Sequence, residues 1–393
     1  MNVLFYRYGS ICEPDILEVF DRMGIITHEA SLEITCKDTS AEEKLHYVSD
    51  ILCKHPVDFI FSINYFPFLS ALCERIGMLY VCLSVDCPVL ELFSRTIRNR
   101  CNRIFLFDYA QYETFYLENP EGIFYLPLAT NTDRWDSILP PLSEDTPPVY
   151  RDDISFVGSL YHEKSPLSLL NPSPLSEFGT GYMDGLIEAQ LKVSGMELLM
   201  NAPSDQWITE LKQSFSAFPS LTDPFTDTDR YVAANCFLGM RAAEAERVRT
   251  LNALAEHFSV TLYTRSDTSL LRHVNCRGGV TTHSEMPHIF RDSKINLNIT
   301  MRPIQTGLSL RVWDVLGCGG FLLTNYQAEI PEYFELGKDL DCYENLPDLL
   351  SKAQYYLTHE DIRQEMAANG YRKVARLHTW THRIASMLRI LFP

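Results

Sequence analysis

The sequence predicts an α/β chain of two Rossmann-like domains, the second carrying a helical insertion. Short apolar runs alternate with segments of helical period along most of the chain, and alternating β and α implies a parallel sheet. A stretch rich in proline, serine and acidic residues from Trp135 to Asp153, with Pro140, Pro141, Pro147 and Pro148, splits that alternation in two. The run from Lys294 to Thr324 has the order strand, loop, helix, strand of one β-α-β unit. The expected division is a first domain at 1–140, a linker at 141–153, a second domain at 154–377 with the insertion at 165–229, and a last helix at 378–393.

Val3 to Tyr6 is a short apolar strand opening into Gly9 and Ser10, followed by a helix from Glu13 to Met23. A helix Ala41 to Lys54, a buried strand Val57 to Ile63, a helix Phe68 to Arg75 and a strand Leu79 to Val85 come next. A helix Val89 to Arg100, a strand Ile104 to Phe107, a helix Tyr109 to Leu117 and a strand Phe124 to Leu126 complete the first domain. Ligands of open parallel sheets bind beyond the carboxyl ends of the strands, which selects Tyr8 to Ser10, Asn64 and Tyr65, Asp86, and Asp108. Asp86, in SVDCP, suits a general base acting on a hydroxyl. The competing reading is a cap on a following helix with Pro88 in its first turn, and Asp108 has the same capping explanation.

In the second domain Ile154 to Val157 is the first strand and ends at Gly158 and Ser159, with Lys164 just beyond. Ser165 to Asp229 breaks the α/β rhythm, first with proline and serine, then with helical stretches at Met183 to Met200 and Gln206 to Phe215. Asp227-Thr-Asp229 is an acid pair of the kind that can hold a metal, but it lies before a helix starting near Tyr231, where capping explains it. A long helix Tyr231 to His257, a strand Val260 to Tyr263 and a turn and short strand at Gly278 to Thr281 follow. Tyr263 reads as core. His283 and His288 lack acidic or cysteine companions at ligand spacing, and His378 and His382 have no HExxH motif between them, so no metal ligand is assigned. Helices Leu346 to Leu357, Glu360 to Leu377 and Trp380 to Leu391 close the chain.

In the β-α-β unit, Ile295, Leu297 and Ile299 alternate with Asn296 and Asn298, and the loop Arg302 to Gly307 ends the strand. Leu308, Val312, Val315 and Leu316 share one helical face, with Gly307, Arg311 and Asp314 in a stripe beside it. Gly317, Gly319 and Gly320 end the helix, and Phe321 to Leu323 is the continuous apolar run of a buried parallel strand. Unpaired N–H groups and the partial positive charge of the helix start suit a phosphate at Gly307, Leu308 and Ser309. Arg311 adds a cation, and Asp314 can accept bonds from two ribose hydroxyls. The alternative is that Arg311 and Asp314 pair with each other at i, i+3 on a solvated face.

A formal charge of −17 disfavours nucleic acid or an anionic membrane as partner, because neutralising phosphates takes clustered Lys and Arg. Eleven cysteines without a CxxC pair fit a reducing compartment. No run approaches the roughly twenty apolar residues that span a bilayer, and MNVLFYRYGS is not a secretory leader, so a cytoplasmic location is expected.

The runs INLNIT, IQTGLSLRVWDVLGCGGFLLTNYQAEIPEYFELGKDL and GYRKVARLHTWTHR resemble the C-terminal half of the CgeB-like (spore-maturation) glycosyltransferases, a group with the two-domain GT-B architecture. The resemblance spans Asn275 to Arg383 and extends more loosely toward the N-terminus. It implies two Rossmann-like domains facing a cleft, with the last helix crossing back to the first. It also implies donor phosphates near the backbone of Gly158 and Ser159, a nucleotide base beside Val280, and the ribose on Asp314. The resemblance alone gives Tyr263 a second role, packing on that base. The pair of glutamates separated by seven residues, familiar in such enzymes, is not intact. Thr306 stands eight positions before Asp314, and the later position is Asp. The implied activity is metal-independent transfer of a hexosyl-type sugar from a nucleoside diphosphate sugar to a hydroxyl of a glycan, protein or small molecule. The donor is a co-substrate and no cofactor is implied. Asp86 is the expected base because the N-terminal domain of such an enzyme faces the acceptor. A non-catalytic sugar-nucleotide-binding or structural protein and a GT-B-like nucleotide-sugar epimerase are the other two readings.

Overall fold

A computed structural model of the protein describes residues 1–36, 38–141, 148–169, 174–193 and 197–392. Residues 142–147 of the expected linker, and 170–173 and 194–196 of the expected insertion, lie outside these. The chain forms two compact units. The first comprises Met1–Ala129, Leu221–Asp227 and Thr379–Pro393, and the second Thr130–Ser220 and Thr228–His378.

The first unit is built on six strands: β1 Asn2–Tyr6, β2 Ile26–Ala30, β3 Phe59–Ile63, β4 Leu79–Leu83, β5 Asn102–Leu106 and β6 Ile123–Tyr125. All pairs are parallel, in the order β2-β1-β3-β4-β5-β6. β1 and β3 are almost wholly buried, as expected of central strands covered on both faces. Phe5, Phe20 and Phe61 meet edge to face beneath the helix Glu13–Arg22. β2 escapes a sequence reading because it is an edge strand, ITHEA, of which only Ala30 is buried.

The helix expected over Val89 to Arg100 does not form. Two short 3-10 turns, Leu90–Phe93 and Arg95–Arg98, replace it. The backbone groups that would close helical turns are used by the segment 221–227 instead. Phe225 N donates to Phe93 O and Arg95 N to Asp223 O, Ser94 bridges Pro224, and Phe225 stacks on Phe93. The helix Trp380–Leu391 packs on Glu13–Arg22 in the same unit, and Arg383 Nε donates to Pro127 O at 2.8 Å.

The second unit carries β7 Ile154–Val157, β8 Val260–Tyr263, β9 Asn275–Arg277, β10 Ile295–Asn298, β11 Leu322–Asn325 and β12 Asp341–Tyr343. They are parallel throughout, in the order β12-β11-β10-β7-β8-β9. β12 was not anticipated, and β9 precedes Gly278 rather than following it. One apolar core joins Phe156, Leu262, Leu297 and Leu323 to the helices carrying Leu251, Leu349 and Met366. The period of two in INLN holds, yet its polar face is buried as well. Asn296 Nδ2 donates to the carbonyls of Phe290 and Phe321, and Asn298 Nδ2 to the hydroxyls of Thr300 and Thr324, so the buried amide donors are satisfied.

The insertion contributes the helices Glu177–Lys192 and Asp205–Ser214, joined by a bond from Trp207 Nε1 to Gly179 O at 3.0 Å. A continuous helical run from Asp229 to Ala255 follows, with a π-helical stretch at Ala233–Gly239. The second unit begins at Thr130, ahead of the proline-rich stretch, because Trp135 Nε1 donates to Thr130 Oγ1 and that hydroxyl bonds to Asp314.

Candidate functional site

In the second sheet β8 and β9 lie to one side of β7 and β10 to β12 to the other. The loops after β7 and β10 therefore diverge, and a crevice opens at their carboxyl ends. Gly158 and Ser159 follow β7, Val280 lies just past β9, and Gly307 to Ser309 end the loop after β10. All these donor-side candidates thus share one edge of the sheet.

A residue passed over in the sequence bridges the two central loops. Arg247 is 7% exposed. Its Nη1 donates to Ser159 O and its Nη2 to Ile299 O, the latter at 2.7 Å. The guanidinium lies over the rings of Tyr161, at 4.4 Å, and Phe156, at 5.2 Å. Its Nε is buried without a hydrogen-bond partner, and among the described residues no carboxylate pairs with it. One signal was available. Arg247 falls in line with Ala243, Leu251 and Leu254, the buried face of the helix Met240–Ala255.

Ser309 precedes the helix Leu310–Gly317, and its hydroxyl is buried and unpartnered. Arg311 lies over the Phe290 ring at 4.9 Å, with Nη1 2.7 Å from Met286 Sδ. Burial lowers its pKa from the ordinary value, and nearby Arg247 acts in the same direction, while Asp314 opposes them. Asp314 is 6% exposed and accepts from Thr130 Oγ1 at 2.8 Å. Arg311 and Asp314 form no ion pair, and neither lies on a solvated face, so mutual pairing does not explain them. Thr306 Oγ1 donates to Glu329 Oε1 at 2.7 Å, and Gln327 Nε2 to Gly307 O at 3.2 Å, which pins the loop to the turn after β11.

Tyr263 belongs to the core: its hydroxyl donates to Asp152 at 2.6 Å, and burial followed by that carboxylate raises its pKa. Asp229 opens a helix and pairs with Lys212 at 2.7 Å. His283 stacks on Trp135, and His382 Nδ1 lies 2.7 Å from Thr379 Oγ1 at a helix start. Among the described residues no three His, Cys, Asp or Glu side chains are grouped so as to hold a metal ion.

In the first sheet the direction changes between β1 and β3. Asn64, which follows β3 with φ at 59°, donates through Nδ2 to Tyr8 Oη at 2.7 Å and to Asp86 Oδ2 at 2.6 Å. Its Oδ1 accepts from Val85 N at 2.9 Å. Burial, then the Asp86 charge, raises the pKa of Tyr8. Asp86 is exposed and caps nothing, because the next helical turn starts at Leu90 after Val89. Asp108 does cap, accepting from Ala110 N at 3.0 Å. Glu13, buried, fills the loop after β1. Its Oε1 accepts from the backbone N–H groups of Tyr8, Gly9 and Ser10 at 2.9, 2.8 and 3.0 Å, so these donors are already committed.

Residues 245–389 match the glycosyl transferase-like family. No curated protein matches the sequence. Among solved structures, a sucrose-phosphate synthase from Thermosynechococcus elongatus is 11% identical with a TM-score of 0.57, over 100% of this chain and 99% of that one. A glycosyltransferase from Rickettsia africae ESF-5 is 11% identical with a TM-score of 0.54, over 100% and 98%. Anabaena HepE, solved with UDP and glucose, is 10% identical with a TM-score of 0.50, over 99% of each chain. The two parallel sheets thus form the two-domain GT-B fold of the glycosyltransferases, and the sequence over residues 245–389 is glycosyl transferase-like.

Proposed function

We propose that the protein is a metal-independent, CgeB-like glycosyltransferase that moves a hexosyl-type sugar from a nucleoside diphosphate sugar to a hydroxyl of a glycan, protein or small molecule. The observation that carries this reading is the buried, carboxylate-free Arg247 across the loops after β7 and β10, within electrostatic reach of Arg311. Two cations without a paired carboxylate at a sheet crevice and a helix start suit the diphosphate of a donor. In this reading the phosphates take the N–H groups of Gly307, Leu308 and Ser309, the Ser309 hydroxyl, Arg311 and Arg247, with the backbone of Gly158 and Ser159 alongside. Asp314 takes the ribose, and the backbone beside Val280 takes the base. Asp86 removes the proton of the acceptor hydroxyl, whose oxygen bonds to the anomeric carbon as the bond to the diphosphate breaks. The departing charge then rests on fixed N–H donors and arginines instead of a divalent cation. A cytoplasmic location belongs to the same reading, and eleven cysteines without a CxxC pair suit it.

The test is a thermal-shift panel of UDP, GDP, ADP and CDP, read with donor hydrolysis. UDP comes first because the structurally similar Anabaena protein was solved with it. One diphosphate raises Tm in the wild type, by roughly 2.7 kcal/mol of stability at one hundred times its Kd, and Arg247→Leu abolishes the shift. If none of the four stabilises the protein, the reading is overturned. Thr306, at the place of a glutamate in related enzymes, favours a second reading as a binding protein without turnover. Tight donor binding with no hydrolysis and no transfer would select it, while interconversion of two nucleotide sugars would select an epimerase.

A further inference from the structure

A cavity of about 680 Å³ opens at the other end of the second sheet, at the amino ends of β7, β10 and β11. Arg151 stands before β7, Arg291 and Lys294 before β10, and Arg363 comes from the helix Glu360–Leu377. Against these four cations stand Asp292 and Glu360, in a chain whose net charge is −17.

The charges are unevenly matched. Arg291 pairs with Asp292 at 2.7 Å, and Asp292 also accepts from Val149 N and Tyr150 N. Lys294 pairs with Asp153 at 2.7 Å. Arg151 and Arg363 take part in no ion pair among the described residues. Arg151 is exposed, whereas Arg363 is 6% exposed and donates to the carbonyl of Tyr356. Glu360 bonds to Gln364 at 2.9 Å. Glu360 and Asp153 attract the Arg363 guanidinium from a distance, but neither pairs with it, so burial leaves a desolvation penalty that an anion in the cavity relieves.

We propose that this cavity binds a small phosphate-bearing anion, held by Arg363 and Arg151. Its volume lies within the roughly 300–1,000 Å³ usual for small-ligand pockets. Strands of four residues at about 3.3 Å per residue put it about 13 Å from the carboxyl ends where the donor site is proposed. One ligand group cannot occupy both.

The test is calorimetric titration of the full chain with inorganic phosphate and with glucose 6-phosphate at low ionic strength, on wild type, Arg151→Glu and Arg363→Met. Phosphate binds the wild type, and each variant weakens it about tenfold or more, as expected for loss of a charge-assisted contact. Tighter binding of glucose 6-phosphate than of phosphate identifies a phosphorylated metabolite, and equal binding identifies free phosphate. Arg151→Glu, at the exposed rim, keeps the test decisive if Arg363→Met does not fold. Absence of binding to the wild type overturns the proposal. So does an unchanged Kd in Arg151→Glu together with any folded Arg363→Met, which would put the phosphate elsewhere in the molecule.

Discussion

Asn64 organises the candidate acceptor side, because one amide donates to the Tyr8 hydroxyl and the Asp86 carboxylate while its carbonyl holds the backbone of Val85. Since Asp86 caps no helix, its replacement separates chemistry from folding. Asp86→Asn is expected to lower kcat by about 10² to 10⁴, the usual range for a general base, with donor affinity and Tm close to wild type. A variant with wild-type kcat removes Asp86 from the mechanism. Asp314→Asn keeps an oxygen that Thr130 can bond and removes the charge. It should weaken nucleoside diphosphate binding by about 1.5–3 kcal/mol for each ribose bond lost, with inorganic diphosphate little affected. Calorimetry showing both ligands weakened alike would take Asp314 off the ribose.

Elements are held in place by backbone positions that side chains cannot share. Gly319, with φ at 75°, turns the chain out of the helix Leu310–Gly317. At Gly320 a Cβ would collide with the Phe290 carbonyl oxygen and come 2.7 Å from Asn296 Nδ2. Gly320→Ala should therefore cost about 1–3 kcal/mol, because neither the backbone nor the bonded amide can give way. A urea midpoint that falls with an unchanged slope would show it, and an unchanged midpoint would mean that the helix end adjusts freely. The loop after β1 has the opposite design. Three N–H groups at the start of a helix, an arrangement that elsewhere receives a ligand anion, receive the chain's own Glu13.

At the scale of the molecule, acidity is general and basicity local. The net charge of −17 coexists with buried arginines at both ends of the second sheet. If positive groups of the chain carry the leaving diphosphate, turnover should survive excess EDTA, since no grouping of ligands among the described residues suits a metal. Loss of turnover in EDTA, restored by manganese or magnesium, would show that a cation shares the work, and a metal carried by the donor phosphates would then enter the mechanism.

The sequence by itself determined the α/β class, the parallel pairing and most helices, because period, apolar run length and capping act within a few residues. Ile154–Val157, Val260–Tyr263 and Glu360–Leu377 have the bounds their patterns imply. The glycine turn after Leu316 and the helix start at Ser309 were legible for the same reason. Tertiary structure alone decided which polar groups found partners, since those partners lie far along the chain. Thr130 meets Asp314, Phe93 meets Phe225 and suppresses a helix, and Arg247 crosses from Ser159 to Ile299. A local pattern shows that a charge lies on an apolar face. Only the packed structure shows that carbonyls and aromatic rings hold that charge at the sheet crevice, with no carboxylate paired to it among the described residues.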